Sequence, residues 1–222
     1  MRKKIINYHE EFAYGCNAEL YCDIALENYY QFMSIYDKLI ASSDLMDEYL
    51  SVDYSMFKKY INCIVFSQMC IESMLNYYIS LYLDKKTSEE IFDKLNPKQK
   101  LIFISKMIHN RKINKGTQLF DSVGTVVKNR NILVHNKTKY MKYSEEVGFD
   151  EDDLRKDLKE DFNIMKKAII AIIETASFLE NAKQENYLLE MLFICDANRL
   201  EEQKYREQAV KDFKIRMSID DV

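Results

Sequence analysis

The chain has 222 residues and a formal net charge of −4, with 47% hydrophobic and 31% charged residues, a balance typical of a soluble globular domain. Only four glycines and one proline occur, which disfavours a turn-rich β fold and favours long helices. The five cysteines form no C-x-x-C pair, the three histidines lack metal-ligand spacing, and no apolar run approaches membrane-spanning length. Since the N-terminus also shows no secretory signal, we expect reduced thiols, no metal, no cofactor and a cytoplasmic location.

Helical spacing of apolar residues organises the chain from end to end. It predicts long helices over 8–41 and 55–84, with the polar stretch 42–54 as their connection. A capping box at 87–90 opens a short helix, and Asn96-Pro97 opens another that runs to about His109, a polar end predicted to be solvated. Gly116-Thr117 starts the next helix, and two more are predicted over 152–181 and 184–214, the last being charged and exposed beyond its YLLEMLFI stretch.

These elements predict an all-α fold, a bundle of about five to seven helices with long antiparallel members. We assign 1–182 to the bundle and 183–222 to a C-terminal helical extension. That extension is interpreted either as the last bundle helix or as an arm that packs on a partner.

Charge is distributed unevenly along the chain. Residues 94–142 contain twelve Lys or Arg and one acid, Asp121, a net charge of +11, whereas 145–161 contain nine acids and three bases. Neighbouring basic and acidic blocks can form a self-complementary surface, or the basic block can be the footprint of an anionic ligand.

The basic block contains the octet KNRNILVH, from Lys128 to His135. At about 100° per residue, Arg130 falls within the apolar stripe of its helix, although burial of an unpaired charge is unfavourable. Asn131 and His135 share another face, so Arg130 and His135 converge only if the helix ends or bends, or if two subunits each supply one face.

The second long helix carries a matching polar pair, Glu72 and Asn76, predicted on its core-facing stripe. A buried Glu72 needs a partner, and Arg130 is the obvious one. Such a pair could aim the guanidinium at a ligand, or it could serve packing alone.

An Arg, a polar residue and a His near the end of a helix in an all-α bundle resemble the motif of the HEPN superfamily (higher eukaryotes and prokaryotes nucleotide-binding). The matching residues are Arg130-Asn131, three further residues, and His135. IESMLN, from Ile71 to Asn76, is similar to the acidic-plus-Asn pattern on the second helix of such domains, and PKQKL, from Pro97 to Leu101, is similar to their lysine-containing helix. The resemblance covers about residues 55–140.

The resemblance implies a bundle that often dimerises, with two motif helices lining one cleft. Many members are metal-independent RNases in which the residues matching Arg130 and His135 are the catalytic pair. Some are toxins with an antitoxin or another regulatory protein partner, or act in phage defence; others are non-catalytic nucleotide-binding or scaffold modules. Members controlled by nucleotidylation carry a Tyr two residues after the His, where this chain has Lys137.

The residue types suit RNA cleavage without a metal. A His can exchange a proton near neutral pH, and an Arg stays charged and binds a phosphate through two parallel hydrogen bonds. Asn131 can orient the phosphate or the His, and four lysines are predicted to hold the RNA backbone: Lys128, Lys137, Lys139 and Lys142. The alternatives are a solvated helix end for the lysines and a dipole-stabilised helix-terminal position for His135.

Three functions therefore stand as hypotheses. The first is a homodimeric, metal-independent endoribonuclease that uses Arg130 and His135, supported by Asn131, Glu72 and Asn76. The second is a non-catalytic module that binds RNA, a nucleotide or a partner protein. The third is an unrelated helical interaction protein. None of them involves a membrane.

Overall fold

The computed structural model describes residues 16–83, 85–87, 90, 92, 94–134, 151–180, 187–193 and 200–215. Throughout these ranges the regular structure is helical, with no strand, so the predicted all-α class is confirmed. The helices are α1 (Ala18–Ala41), α2 (Leu45–Ser80), α3 (Pro97–Phe103), α4 (Gln118–Val134), α5 (Glu151–Glu180), α6 (Tyr187–Phe193) and α7 (Leu200–Asp212). A single helical turn, Lys85–Thr87, follows α2.

Helices α1 and α2 form an antiparallel hairpin joined by residues 42–44 alone. Pairs of polar side chains bridge the hairpin in opposite chain order: Asn62 donates to Asn28 at 3.3 Å, and Lys59 donates to Gln31 at 2.7 Å. The predicted connection at 42–54 is wrong, because α2 begins ten residues earlier than expected, with Leu45 fully buried. The many polar residues of 45–54 lie on the solvent face of a helix that is anchored by its apolar positions.

Helix α5 packs against α2 and α4 and completes the central core. Its buried side chains recur at spacings of three and four residues, as expected for an amphipathic helix: Leu154, Leu158, Met165, Ala168, Ile169, Ala171, Ile172, Ala176 and Leu179. Its first turn carries Glu151, Asp152 and Asp153, and Arg155 in the next turn donates to the carbonyl oxygen of Ile40, at the end of α1, at 3.2 Å.

The start of α3 follows the sequence prediction. The Asn96 side chain accepts from the backbone N–H of Gln99 at 3.0 Å, and the Gln99 side chain accepts from the Asn96 N–H at 2.9 Å. Pro97 occupies the first helical position, so the predicted cap is confirmed. The helix then widens into a π-helical turn, Ile104–Ile108, before it ends at His109.

Helices α6 and α7 pack on α1 within the same chain. Apolar residues from both join the common core, including Leu192 and Ala209, each fully buried. Tyr30 of α1 stacks on Tyr205 of α7 with ring centroids 5.9 Å apart, and its hydroxyl donates to Asp212 at 3.1 Å. The prediction that the charged part of this segment is exposed is therefore wrong for the face that meets α1.

No helix in the described part of the chain is long and apolar enough to cross a bilayer.

Candidate functional site

The motif helix α4 is buried along its first three turns and emerges from the core at its end. Leu119, Val123 and Val126 are buried, as the apolar stripe predicts. In the last turn Ile132 is 39% and Val134 is 49% exposed, although Val134 lies on the same side of the helix as the buried apolar stripe. The last turn of α4 is thus more exposed than the turns before it, and Arg130 is half-exposed there.

Arg130 does not pair with Glu72. Its Nη1 donates to Oδ1 of the adjacent Asn131 at 3.2 Å, in an exposed contact. Glu72 accepts instead from Gln68 Nε2, one turn earlier on α2, at 2.8 Å. The predicted Glu72–Arg130 ion pair is therefore wrong, and the physical reason is that Glu72 is half-buried and satisfied within its own helix.

Asn76 is exposed rather than core-facing, which corrects the second half of the α2 prediction. Its Oδ1 nevertheless accepts a hydrogen bond of 2.6 Å from Nζ of Lys100, a side chain only 3% exposed. Lys100 was not predicted to have a role. Its burial could have been predicted from helical spacing, because Lys100 follows the buried Pro97 by three residues and precedes the buried Ile104 by four.

The remaining motif residues divide between described and undescribed parts of the chain. Lys128 is exposed on α4, as an RNA-backbone contact requires. The predicted catalytic His135 and the predicted backbone contacts Lys137, Lys139 and Lys142 lie outside the described residues.

A titratable carboxyl lies near the residue that precedes Arg130. The Tyr60 hydroxyl of α2 donates to Asn129 Oδ1 at 3.5 Å, and the Asp161 carboxylate of α5 helps to raise the pKa of Tyr60, after burial as the main cause. Burial, with Asp157 and Glu160 close by, raises the pKa of Asp161 to about 6. The sequence signal for Asp161 was its place in the buried register of α5, between Leu158 and Met165.

His109 is the one histidine among the described residues, and it lies away from the end of α4. His109 Nε2 lies 3.0 Å from the Tyr78 hydroxyl, and its ring packs 5.0 Å from that of Phe178. Burial, followed by the charge of Arg111, lowers the pKa of His109. The predicted solvated helix end is therefore wrong for His109, whose half-buried ring packs between α2 and α5, whereas residues 110–112 are exposed as predicted.

In chemical terms, the described site offers a half-exposed guanidinium, an adjacent amide and an exposed ammonium on one helix end. Among the described residues, no group of three or more His, Cys, Asp or Glu side chains is arranged to hold a metal ion. Comparisons with family models, curated proteins and solved structures gave no match to this chain. The HEPN resemblance thus stays a prediction from the sequence.

Proposed function

We propose that the chain is a HEPN-type, metal-independent endoribonuclease, with Arg130 and His135 as its catalytic pair in a cleft shared by two copies. The observation that supports this most is the half-exposed Arg130 guanidinium, which forms no ion pair with any described side chain and bonds only to Asn131. A purely structural arginine would be expected to be buried against a carboxylate.

The proposed reaction is a transesterification within the RNA strand. His135 takes the proton of a ribose 2′-hydroxyl, whose oxygen attacks the adjacent phosphorus as the bond to the 5′-oxygen of the next nucleotide breaks. The departing oxygen gains a proton, so the products end in a 2′,3′-cyclic phosphate and a 5′-hydroxyl. Arg130, oriented by Asn131, stabilises the charge that develops on the phosphoryl oxygens.

A second copy of the chain is proposed to complete the cleft. On one regular helix Arg130 and His135 are about 140° apart, so a single α4 does not aim both at one phosphate. Val134, which is 49% exposed and lies one turn after Arg130 on the same side of α4, offers an apolar contact to a second copy that brings its own motif helix alongside. Phage defence and toxin–antitoxin pairing are the settings that the family resemblance suggests for such an enzyme.

The alternative is a module that binds RNA or a nucleotide without cleaving it. It is favoured by the same exposed Arg130, since a guanidinium available to a phosphate is sufficient for binding. It differs from the first proposal in requiring nothing of His135.

Cleavage of labelled single-stranded RNA by the purified chain, with EDTA present, separates the two. We expect cleavage by the wild type, and at least a hundredfold slower cleavage by Arg130→Ala and by His135→Ala. Lys58→Ala, which removes an exposed cation from α2, is the matched control and should cleave at the wild-type rate. Product ends other than cyclic phosphate and 5′-hydroxyl, or equal rates in all four proteins, would contradict the proposal.

A further inference from the structure

One surface of the chain carries positive charge that the proposed cleavage step does not use. Residues 94–134, all of them described, contain nine Lys or Arg and a single acid, Asp121. That acid is already neutralised, because its Oδ2 lies 2.9 Å from Nζ of Lys167 on α5. Lys100 is buried and bonded to Asn76, but the other eight cations leave this part of the chain strongly positive, which favours an anionic ligand.

The Lys98 side chain of α3 lies against α4, in a space that exists because residue 124 is a glycine. A Cβ added to Gly124 would be 2.1 Å from Lys98 Nζ and 2.4 Å from its Cε. The same ammonium lies 4.8 Å from the ring centroid of Phe120. Glycine inside a helix is destabilising relative to alanine. At position 124 the missing side chain leaves the space in which the Lys98 ammonium lies against α4.

The side of α4 that Lys98 contacts continues to the KNRNILVH motif. Gly124, Lys128 and Asn131 follow at spacings of four and three residues and so share one side of α4. The Lys98 ammonium above Gly124 is therefore one turn from Lys128 and about 10 Å along the axis from Asn131, to which Arg130 donates. Neither Lys98 nor Lys128 forms an ion pair with any described side chain.

We infer that Lys98, Lys128 and Arg130, here called the α4 row, bind the phosphate backbone of a single-stranded RNA, with Lys98 holding a phosphate next to the cleavage site. The choice of RNA rests on the proposed function, but the binding does not require cleavage. The Lys98 ammonium above Gly124 and Lys128 are about 6 Å apart along the helix, and Arg130 follows about 3 Å further along the axis. Arg130 starts from another face of α4, but its Nη1 reaches Asn131 on the side that carries Lys128, so the three cations are close together at one helix end. A flexible single strand can follow such a group of cations.

Fluorescence anisotropy with a labelled 12-nucleotide single-stranded RNA tests the α4 row, using the full chain with His135→Ala to prevent cleavage. Lys98→Met and Lys128→Met should each weaken binding about three- to tenfold, and each should make the slope of log K against log salt shallower by about 0.7. Lys98→Arg should keep the wild-type affinity. Lys58→Met and Lys166→Met, exposed cations on α2 and α5, should change the affinity less than about twofold.

Gly124→Ala offers a test that leaves every charge in place. Its Cβ displaces the Lys98 ammonium, which moves at little cost as the end of a flexible side chain. We expect about two- to fivefold weaker RNA binding together with an equal or higher Tm, since alanine favours the helix. Gly116→Ala, whose Cβ would meet Asn114 Oδ1 at an ordinary 3.4 Å, is the control and should bind as the wild type does.

The outcomes separate this inference from the proposed function. Lysine-dependent RNA binding by a chain that cleaves no RNA would support the α4 row and overturn the nuclease. Cleavage and binding that are both unaffected by Lys98→Met would overturn the α4 row and leave the nuclease. Binding to phosphatidylserine vesicles with the same lysine dependence, in the absence of RNA binding, would also overturn it.

Discussion

Two arginines of this chain lie in opposite surroundings. Arg206 of α7 is fully buried, and its guanidinium donates to both carboxylate oxygens of Asp23 at 2.6 Å, to Glu19 at 3.0 Å and to the carbonyl oxygen of Met191 at 3.3 Å. Arg130 of α4 is half-exposed, and among the described residues it bonds only to its neighbour Asn131. Arg206 connects three helices. The Arg130 guanidinium leaves most of its N–H donors available to a group outside the described residues.

The two arginines differ in how far their guanidinium groups are desolvated. The Arg206 guanidinium is desolvated and makes a planar, bidentate contact with a carboxylate. Removal of either partner therefore leaves the other charge in a low-dielectric interior without that contact. Arg130 has not been desolvated to that extent, so little of the fold's stability depends on it. Substitutions at both positions, and at the titratable Asp161 near the motif, test this difference.

The largest effect is expected at Arg206. Arg206→Met should lower the free energy of unfolding by about 3–5 kcal/mol, because Asp23, whose side chain is 9% exposed, would be left buried without its counter-charge. Urea denaturation followed by circular dichroism measures the loss. Lys211→Met, an exposed site on the same helix, is the control and should change stability by less than about 0.5 kcal/mol.

A double substitution tests the cause. Adding Asp23→Leu to Arg206→Met removes both charges, so we expect recovery of about half or more of the lost stability. A loss below about 1 kcal/mol in the single variant would mean that the buried network is not what attaches α7 to α1.

An intermediate effect is expected at Asp161. Its folded pKa of about 6 is above the ordinary pKa of 3.8 for this carboxyl, so the folded chain binds more protons than the unfolded chain between these values. Stability from this group therefore falls as pH rises from about 4 to 6 and stays reduced at higher pH. Asp161→Asn should raise the free energy of unfolding at pH 7.5 by about 1 kcal/mol, allowing for partial exposure, and by much less at pH 4.

Denaturation of the wild type and Asp161→Asn at both pH values checks this sign. The wild-type profile alone would mislead, because burial lowers the pKa of His109, so that group contributes stability at neutral pH that is lost as the pH falls below its usual range. The difference between the variants isolates Asp161. Asp47→Asn, at an exposed acid of α2, is the control, and an equal gain at both pH values would rule out the titration as the cause.

The parts of the fold that could be predicted are those determined by neighbouring residues. The Asn96–Gln99 cap lies within four residues, and the all-helical class follows from apolar spacing and scarce breakers. Arg206 could not be predicted in this way, since Asp23 and Glu19 precede it by 183 and 187 residues. Charged neighbours such as Lys204 and Glu207 also obscure its buried register.

Prediction of the candidate site was also limited by missing tertiary information. Angles around α4 correctly placed Leu119, Val123 and Val126, because those turns are packed against other helices. The same angles placed Arg130 in the core, because they contain no information on where the neighbouring helices end. Lys98 was likewise grouped with its helix rather than with α4, since its contact depends on the space above Gly124, a tertiary feature.

The smallest effect is expected at Arg130 itself. Arg130→Met should change the free energy of unfolding by less than about 0.5 kcal/mol, because an exposed hydrogen bond to an adjacent residue is replaced by water at little cost. The urea denaturation used for Arg206→Met, in the same buffer, measures it. A loss above about 2 kcal/mol would make Arg130 a structural residue like Arg206, and loss of RNA cleavage or binding in its variants would then report unfolding. Unchanged stability together with lost cleavage would instead assign this arginine to the RNA, which is the role that its position at the exposed end of α4 favours.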